Sequence, residues 1–379
     1  MKILLHDNGL HLRFAPLTLT RPVGDLRIGI FTNSERWKHL VQNAEIFYAT
    51  EAYLQKQFQG CDQPDIVVNA AIIPSSALAK QILELSSDEK LMKGSHWVAY
   101  KGDGSNLVES SEEILILENR WELYQKNGLA LSNDFEIITK GRKSQGLSIT
   151  NTLIGDASQL FIEEGATVEA SILNVKSGPI YIGKNAEIME GSVVRGPLAM
   201  CESSGLKLAT KIYGPTTLGP HCKVGGEVNN VIFQAYSNKG HDGFLGNALI
   251  GEWCNLGADT NCSNLKNNYG MVSTYSYESQ KEEKTNAQFM GLTMGDHSKC
   301  GINTMFNTAT VVGVSSNIYG AGFPDKFIKS FQWGGADEMV DFRFNKAIEV
   351  ANNMMERRGL QLTDGEMSIL KHIAEQKIL

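Results

Sequence analysis

Hydrophobic positions fall into three regimes along the chain. Up to about residue 145, short apolar runs alternate with helical stripes. Ile66-Val67-Val68 and Ile114-Leu115-Ile116-Leu117 have the length of buried strands. Thr32-x-x-Glu35 reads as a capping box opening a helix with Trp37, Leu40 and Val41 inward, and Ser75 as the cap of a second with Leu78, Ile82 and Leu83 inward. From about residue 150 an aliphatic residue followed by glycine recurs, as in Ile182-Gly183, Leu218-Gly219, Ile250-Gly251 and Leu256-Gly257. The spacing is six: Met294, Cys300, Phe306, Val312 and Ile318 are in phase. So are Ile182, Ile188 and Val194, then Ile212, Leu218 and Val224, then Ile250, Leu256 and Cys262. A period of six fits neither a helix nor a lone strand. It fits a parallel β-helix, in which each hexapeptide is a short strand plus a turn and one inward residue fills the core. Such coils bury their interior only by stacking. Beyond them, Val340, Phe344, Ile348, Ala351 and Met355 trace a helical stripe ending at Gly359, and Thr363-x-x-Glu366 opens a last helix with Met367, Leu370 and Ile373.

The organisation expected is a small α/β domain over 1–145, a β-helix over 146–322 and a helical cap over 323–379 that seals the open end of the solenoid. Two stretches break the period, Gly196–Lys211 and the polar Asn264–Gln288, and both are expected as loops projecting from one face.

Composition narrows the functional classes. The 37 glycines against 9 prolines agree with many tight turns, and no apolar run of about 18 residues marks a membrane span. Met1–Leu5 is cut at once by His6 and Asp7, unlike a signal peptide. A net charge of -7 argues against bulk nucleic-acid binding. The 6 cysteines include no CxxC pair, which reads as reduced thiols in a cytoplasm.

The polar, glycine-rich stretch Ser237–Asn247 lies between coils and contains His241, whose imidazole ionises near neutrality and is suited to general-base work. Taken alone, a lone histidine is as well explained as a surface or hydrogen-bonded structural residue. The order Lys239-Gly240-His241, Leu245-Gly246, Ile250-Gly251, Leu256-Gly257-Ala258-Asp259-Thr260 and Asn264 adds more. It resembles the acetyltransferase half of the bifunctional enzymes that join glucosamine-1-phosphate acetyltransferase to N-acetylglucosamine-1-phosphate uridylyltransferase. The whole chain looks like their shorter Bacteroidetes homologues, sugar nucleotidyltransferases with a hexapeptide-repeat domain.

The resemblance implies left-handed coils, a homotrimer with sites between subunits, acetyl-CoA as co-substrate and an amino-sugar phosphate, glucosamine-1-phosphate, as acceptor. It implies that His241 removes a proton from the attacking amine and that Asn264 contacts substrate. Ala258 is then expected to meet the CoA thiol arm, and Gly320 and Ala321 to line the CoA channel. Phe244 stands where the family has a tyrosine, and one family lysine has no counterpart here. Arg195, Lys211, Lys223 and Lys239 are candidates for the acceptor's phosphate, and equally for a solvated surface.

The N-terminal region resembles a nucleotidyltransferase less closely. Arg13, Pro16, Leu17 and Thr18 fit the family's pattern, but its glycine loop is reduced to Gly9 and its lysine is replaced around Gly24-Asp25. Gly9, Arg13 and Arg21 are candidate phosphate ligands, for UTP in the family's reaction, and Asp7 a candidate ligand for Mg2+. The arginines suit ion pairs with Asp25 and Glu35 as well, and a domain that only binds or scaffolds stays open. Two rivals remain: a non-enzymatic sugar-nucleotide-binding or assembly protein, and a γ-type carbonic anhydrase holding zinc through His221, His241 and His297.

Overall fold

The computed structural model describes residues 1–376. The N-terminal domain is built on a six-stranded sheet in which Lys2–His6 lies parallel between Glu45–Ala49 and Ile66–Asn69. The capping boxes expected at Thr32 and Thr363 both form, and Ser75 caps Ser76–Leu83. Ile3, Leu5, Ile66 and Val68 are fully covered by helices on the sheet.

From residue 147 onward the chain winds as the expected left-handed parallel β-helix of hexapeptide coils. Three ladders run along it. The first strand of each coil forms an open face, for example Val193–Arg195 and Lys211–Tyr213. The second, such as Leu198–Met200 and Thr216–Leu218, forms the face on which the N-terminal domain docks. The third, such as Lys223–Val224, Asn238–Lys239 and Asn255–Leu256, lies under the C-terminal helix Phe344–Glu356. They are called here the open face, the domain face and the helix face.

The stretch Gly196–Lys211 is not a loop. Leu198–Met200 pairs with Ile180–Ile182, and Gly205–Leu206 with Glu187–Ile188, so the coil runs straight through. Met200 and Leu206, both fully buried, keep the period of six unbroken from Ile182 to Val224. The second stretch does project, as an antiparallel hairpin of Ser273–Ser276 with Lys281–Lys284.

Coiling also outlasts the expected boundary at 322. Phe327–Ile328 and Gln332–Gly334 still pair parallel with the preceding coil, and Met339–Asp341 turns back antiparallel on the last strand. That hairpin ends the stack. The C-terminal helices do other work: Phe344–Glu356 runs back along the helix face, and Asp364–Glu375 wedges against the N-terminal domain, where His372 stacks on Tyr53.

The domain face is bonded as well as covered. Thr217 Oγ1 donates to Gly29 O at 2.7 Å, and Arg27 N–H donates to Gln234 Oε1 at 2.7 Å. Ile232 and Leu249, whose side chains leave the coil on this face, are buried in the core of the N-terminal domain.

Candidate functional site

Successive inward positions on the helix face and the open face are six residues apart, as from Leu206 to Ile212. Between Val224 and Val228 the corner is shorter, made of Gly225-Gly226 before the strand Glu227–Phe233. The chain is pinched there and a notch opens. Gly226 has φ +76°, and a Cβ on it would lie 2.8 Å from Gly243 O and 2.9 Å from His241 O. The glycine pair lets the turn Gly240–Gly243 of the next coil sit against it.

His241 is exposed on that turn and borders two adjoining clefts. The smaller, about 810 Å³, is lined by Lys207, Gly225, Gly226, Asp242, Ala258 and Asp259 beside His241. The larger, about 880 Å³, runs from Ala258 beneath the helix Phe344–Glu356. Its wall carries Lys207, Lys223, Lys299, Arg357 and Arg358 and, among the described residues, no carboxylate. The Ala258 N–H has no acceptor among the described residues and borders both clefts. Burial pushes the Lys299 ammonium down to about 8.

The expected residues divide by position. His241 and Ala258 come together. Gly320 and Ala321 lie exposed on the same edge, two coils beyond Ala258 and three beyond His241, so roughly 10 Å and 14 Å along the axis at about 4.8 Å per coil. Asn264 does not join them. It follows the open-face strand Asn261–Cys262, at the far corner of that face, and donates from Nδ2 to Asn247 Oδ1 at 2.8 Å. Arg195 and Lys211 are exposed on the open face, three and two coils away, and line neither cleft. Lys223 is in the larger cleft. Lys239 is 1% exposed and points inward, away from any substrate. Lys207, Arg357 and Arg358 were missed. Counting coil register would have found Lys207, which follows inward Leu206 as Gly225 follows Val224 and Gly240 follows Lys239.

The three histidines of the zinc alternative do not converge. His221 and His297 belong to a column of stacked rings with Tyr236 and Trp253 at the corner between the domain and helix faces, away from the His241 corner.

The N-terminal candidates are committed elsewhere. Arg21 donates to Glu252 Oε1 at 2.6 Å and to Asp296 Oδ2, joining the domain to two coils of the β-helix. Its side chain is 8% exposed, and the small cavity beside it is lined by Asp25, Glu252, Asp296 and Glu366, a poor surrounding for a phosphate. Arg13 pairs with Glu278 of the projecting hairpin at 2.9 Å. Gly9 takes φ +72° in an open turn. Asp7 is 4% exposed, and both its oxygens are bonded: Oδ1 accepts from Val23 N–H at 2.9 Å and Oδ2 from Thr50 Oγ1 at 2.6 Å. Burial pushes its carboxyl up to about 7. Among the described residues no group of three or more His, Cys, Asp or Glu gathers to hold a metal. The surroundings of Asp7 do not fit Mg2+.

Residues 3–143 match the model of the sugar nucleotidyl transferase family. The bifunctional protein GlmU of Trichodesmium erythraeum is 26% identical over 135 residues, 35% of this chain. The match spans 24% of the length of that relative. Among solved structures, the polysialic acid O-acetyltransferase OatWY is 13% identical, with 52% of this chain and 86% of that one covered at a TM-score of 0.27. AntD, an N-acyltransferase from Bacillus cereus in complex with dTDP and 3-hydroxybutyryl-CoA, is 14% identical over 56% and 94%, with a TM-score of 0.24. The Arabidopsis UDP-N-acetylglucosamine acyltransferase is 12% identical over 61% and 90%, with a TM-score of 0.20.

Proposed function

We propose that the chain is an acyl-CoA-dependent N-acyltransferase of sugar-nucleotide metabolism, acting on an amino-sugar phosphate such as glucosamine-1-phosphate with acetyl-CoA as donor. The observation that carries this reading is the position of His241, exposed where a small notch meets a long carboxylate-free cleft. The five cations of that cleft suit the phosphates of CoA, with Ala258, Gly320 and Ala321 along the edge that the acyl arm would follow. The acceptor then sits in the notch, its phosphate within the field of Lys207. His241 accepts the amine proton as the nitrogen attacks the thioester carbonyl. The C–N bond forms, the C–S bond breaks, and the CoA thiolate leaves. The unpaired Ala258 N–H is a donor for the oxyanion.

The open face exposes Ile172, Val193, Tyr213 and Met305. It is the face through which a homotrimer would pack, with Asn264 of one copy completing the site of another. For the N-terminal domain, the engagement of Arg21 and Asp7 within the protein favours a scaffold over nucleotidyl transfer from UTP.

The test is acetyl transfer to glucosamine-1-phosphate by His241→Ala. Positioned general bases contribute about 10²–10⁴-fold, and a loss of that size is expected with the melting temperature and acetyl-CoA affinity little changed. Equal rates in a folded variant would overturn the assignment.

A further inference from the structure

The inward positions of the helix face form one column. Leu206 is paired in register with Val224, Val224 with Lys239, and Leu256 with Cys300. Lys239 occupies a rung that the repeat gives to an aliphatic side chain. An ammonium in such a stack is disfavoured relative to an apolar chain of equal length. No salt bridge relieves it among the described residues. Its three hydrogens meet three carbonyls instead: His241 O at 2.8 Å, Gly225 O at 3.1 Å and Asp242 O at 3.3 Å. Two belong to the turn that carries His241, and the third to the glycine pair facing it across the notch. One buried cation therefore ties both walls of the notch together from inside the coil.

We propose that Lys239 is a positioning residue, whose enclosed ammonium holds the Gly240–Gly243 turn in the form that presents His241 to the notch. This rests on the reading of His241 as general base. The sequence suggested that Lys239 touches the acceptor; the structure gives it no access to one.

The role separates from an ordinary structural one because activity and the state of His241 should change far more than stability does. Lys239→Met keeps the length, suits the column between Val224 and Leu256, and removes all three hydrogen bonds. Its melting temperature is expected to fall only slightly, because losing the desolvation cost of the ammonium offsets part of the cost of leaving its carbonyl partners unpaired. Its kcat with acetyl-CoA and glucosamine-1-phosphate is expected to fall by about 10–100-fold, the size set by misplacing a catalytic group, with KM for acetyl-CoA within about twofold of the wild-type value, as for a cofactor bound outside the notch. In protein labelled with isotopic histidine, the His241 imidazole resonance should shift or broaden without substrate present. Lys239→Gln, with one shorter donor, should fall between the two and serves if the methionine variant does not fold.

A wild-type kcat together with an unmoved His241 resonance in either variant would overturn the proposal. So would a drop in melting temperature that accounts for the lost activity. His241→Ala in the same assay separates the two readings. Full activity there removes the general-base assignment, while the resonance still reports whether Lys239 holds the turn.

Discussion

Replacing Arg21 by methionine tests whether the N-terminal loop binds a nucleotide or clamps two parts of the protein. The guanidinium bridges Glu252 and Asp296, and the side chains of Arg21 and Asp296 are 8% and 6% exposed. Breaking a buried ion pair from one side costs about 3–5 kcal/mol, because the remaining charge loses its partner. Asp296 would keep two donors, the Thr20 hydroxyl at 2.7 Å and the Glu252 N–H at 2.8 Å. Glu252 is 27% exposed at its side chain and reaches water. The lower end of the range therefore applies, about 3 kcal/mol. At roughly 2 °C per kcal/mol for a chain of this size, the melting temperature should drop by about 6 °C. Adding Asp296→Asn removes the stranded charge and should restore part of the loss. The assay is urea and thermal unfolding of the two variants, with UTP binding measured in parallel. A variant that unfolds like the wild type yet loses UTP affinity would show that Arg21 serves a phosphate and that the clamp is incidental.

The notch makes a second prediction. Gly226→Ala forces a side chain onto φ +76° and against the His241 turn; it should cost at least about 1–2 kcal/mol for the backbone alone and reduce acetyl transfer far more, whereas Gly240→Ala, with nothing within 4 Å of its added carbon, should stay near wild type in stability. Arg357→Ala with Arg358→Ala should raise KM for acetyl-CoA about tenfold at low salt and leave kcat within about twofold, the difference shrinking as salt screens these exposed charges. Asp7 supplies a pH signature. Its carboxyl is raised to about 7 in the folded state from 3.8, so between about pH 4 and pH 7 the native protein holds a proton that the unfolded chain has released, and the stability this proton brings is lost as pH rises through 7. Asp7→Asn should flatten that part of the stability–pH curve; an unchanged curve would contradict the burial of the carboxyl.

What the sequence disclosed follows from how directly each residue's neighbours determine it. An inward rung must be apolar and of fixed phase, so the hexads announce themselves. Even so, Met200 and Leu206 were passed over, because Gly196-Pro197 and the polar Cys201–Ser204 around them look like an interruption when outward residues are read with the same weight as inward ones. His241 and Ala258 were legible only through the resemblance carried by Lys239–Asn264, and coil register explains why they meet on one edge. Arg357 and Arg358 were not, since they reach the cleft from a helix whose docking no local pattern encodes. Arg21 shows the reverse failure: a cation in a phosphate-like motif looks alike whether it faces a ligand or Asp296, far away in sequence. Lys239 was noticed for its charge, when the informative fact was its phase in the column.

The domain face has a mechanical meaning. A bare solenoid can unzip from either end, because each coil is held only by its neighbours. Here Phe161, Tyr181, Ala199, Thr217, Ile232, Leu249 and Asp296, on successive coils, are all fastened to the same N-terminal body. That body acts as a splint laid lengthwise over the stack. Loosening one coil beneath it means loosening the splint, and so every other coil it spans. The splinted coils should open as one cooperative block, with fraying confined to the terminal coils outside it. The notch of His241 falls in the middle of that block, where slow opening of the backbone keeps its two walls in fixed register.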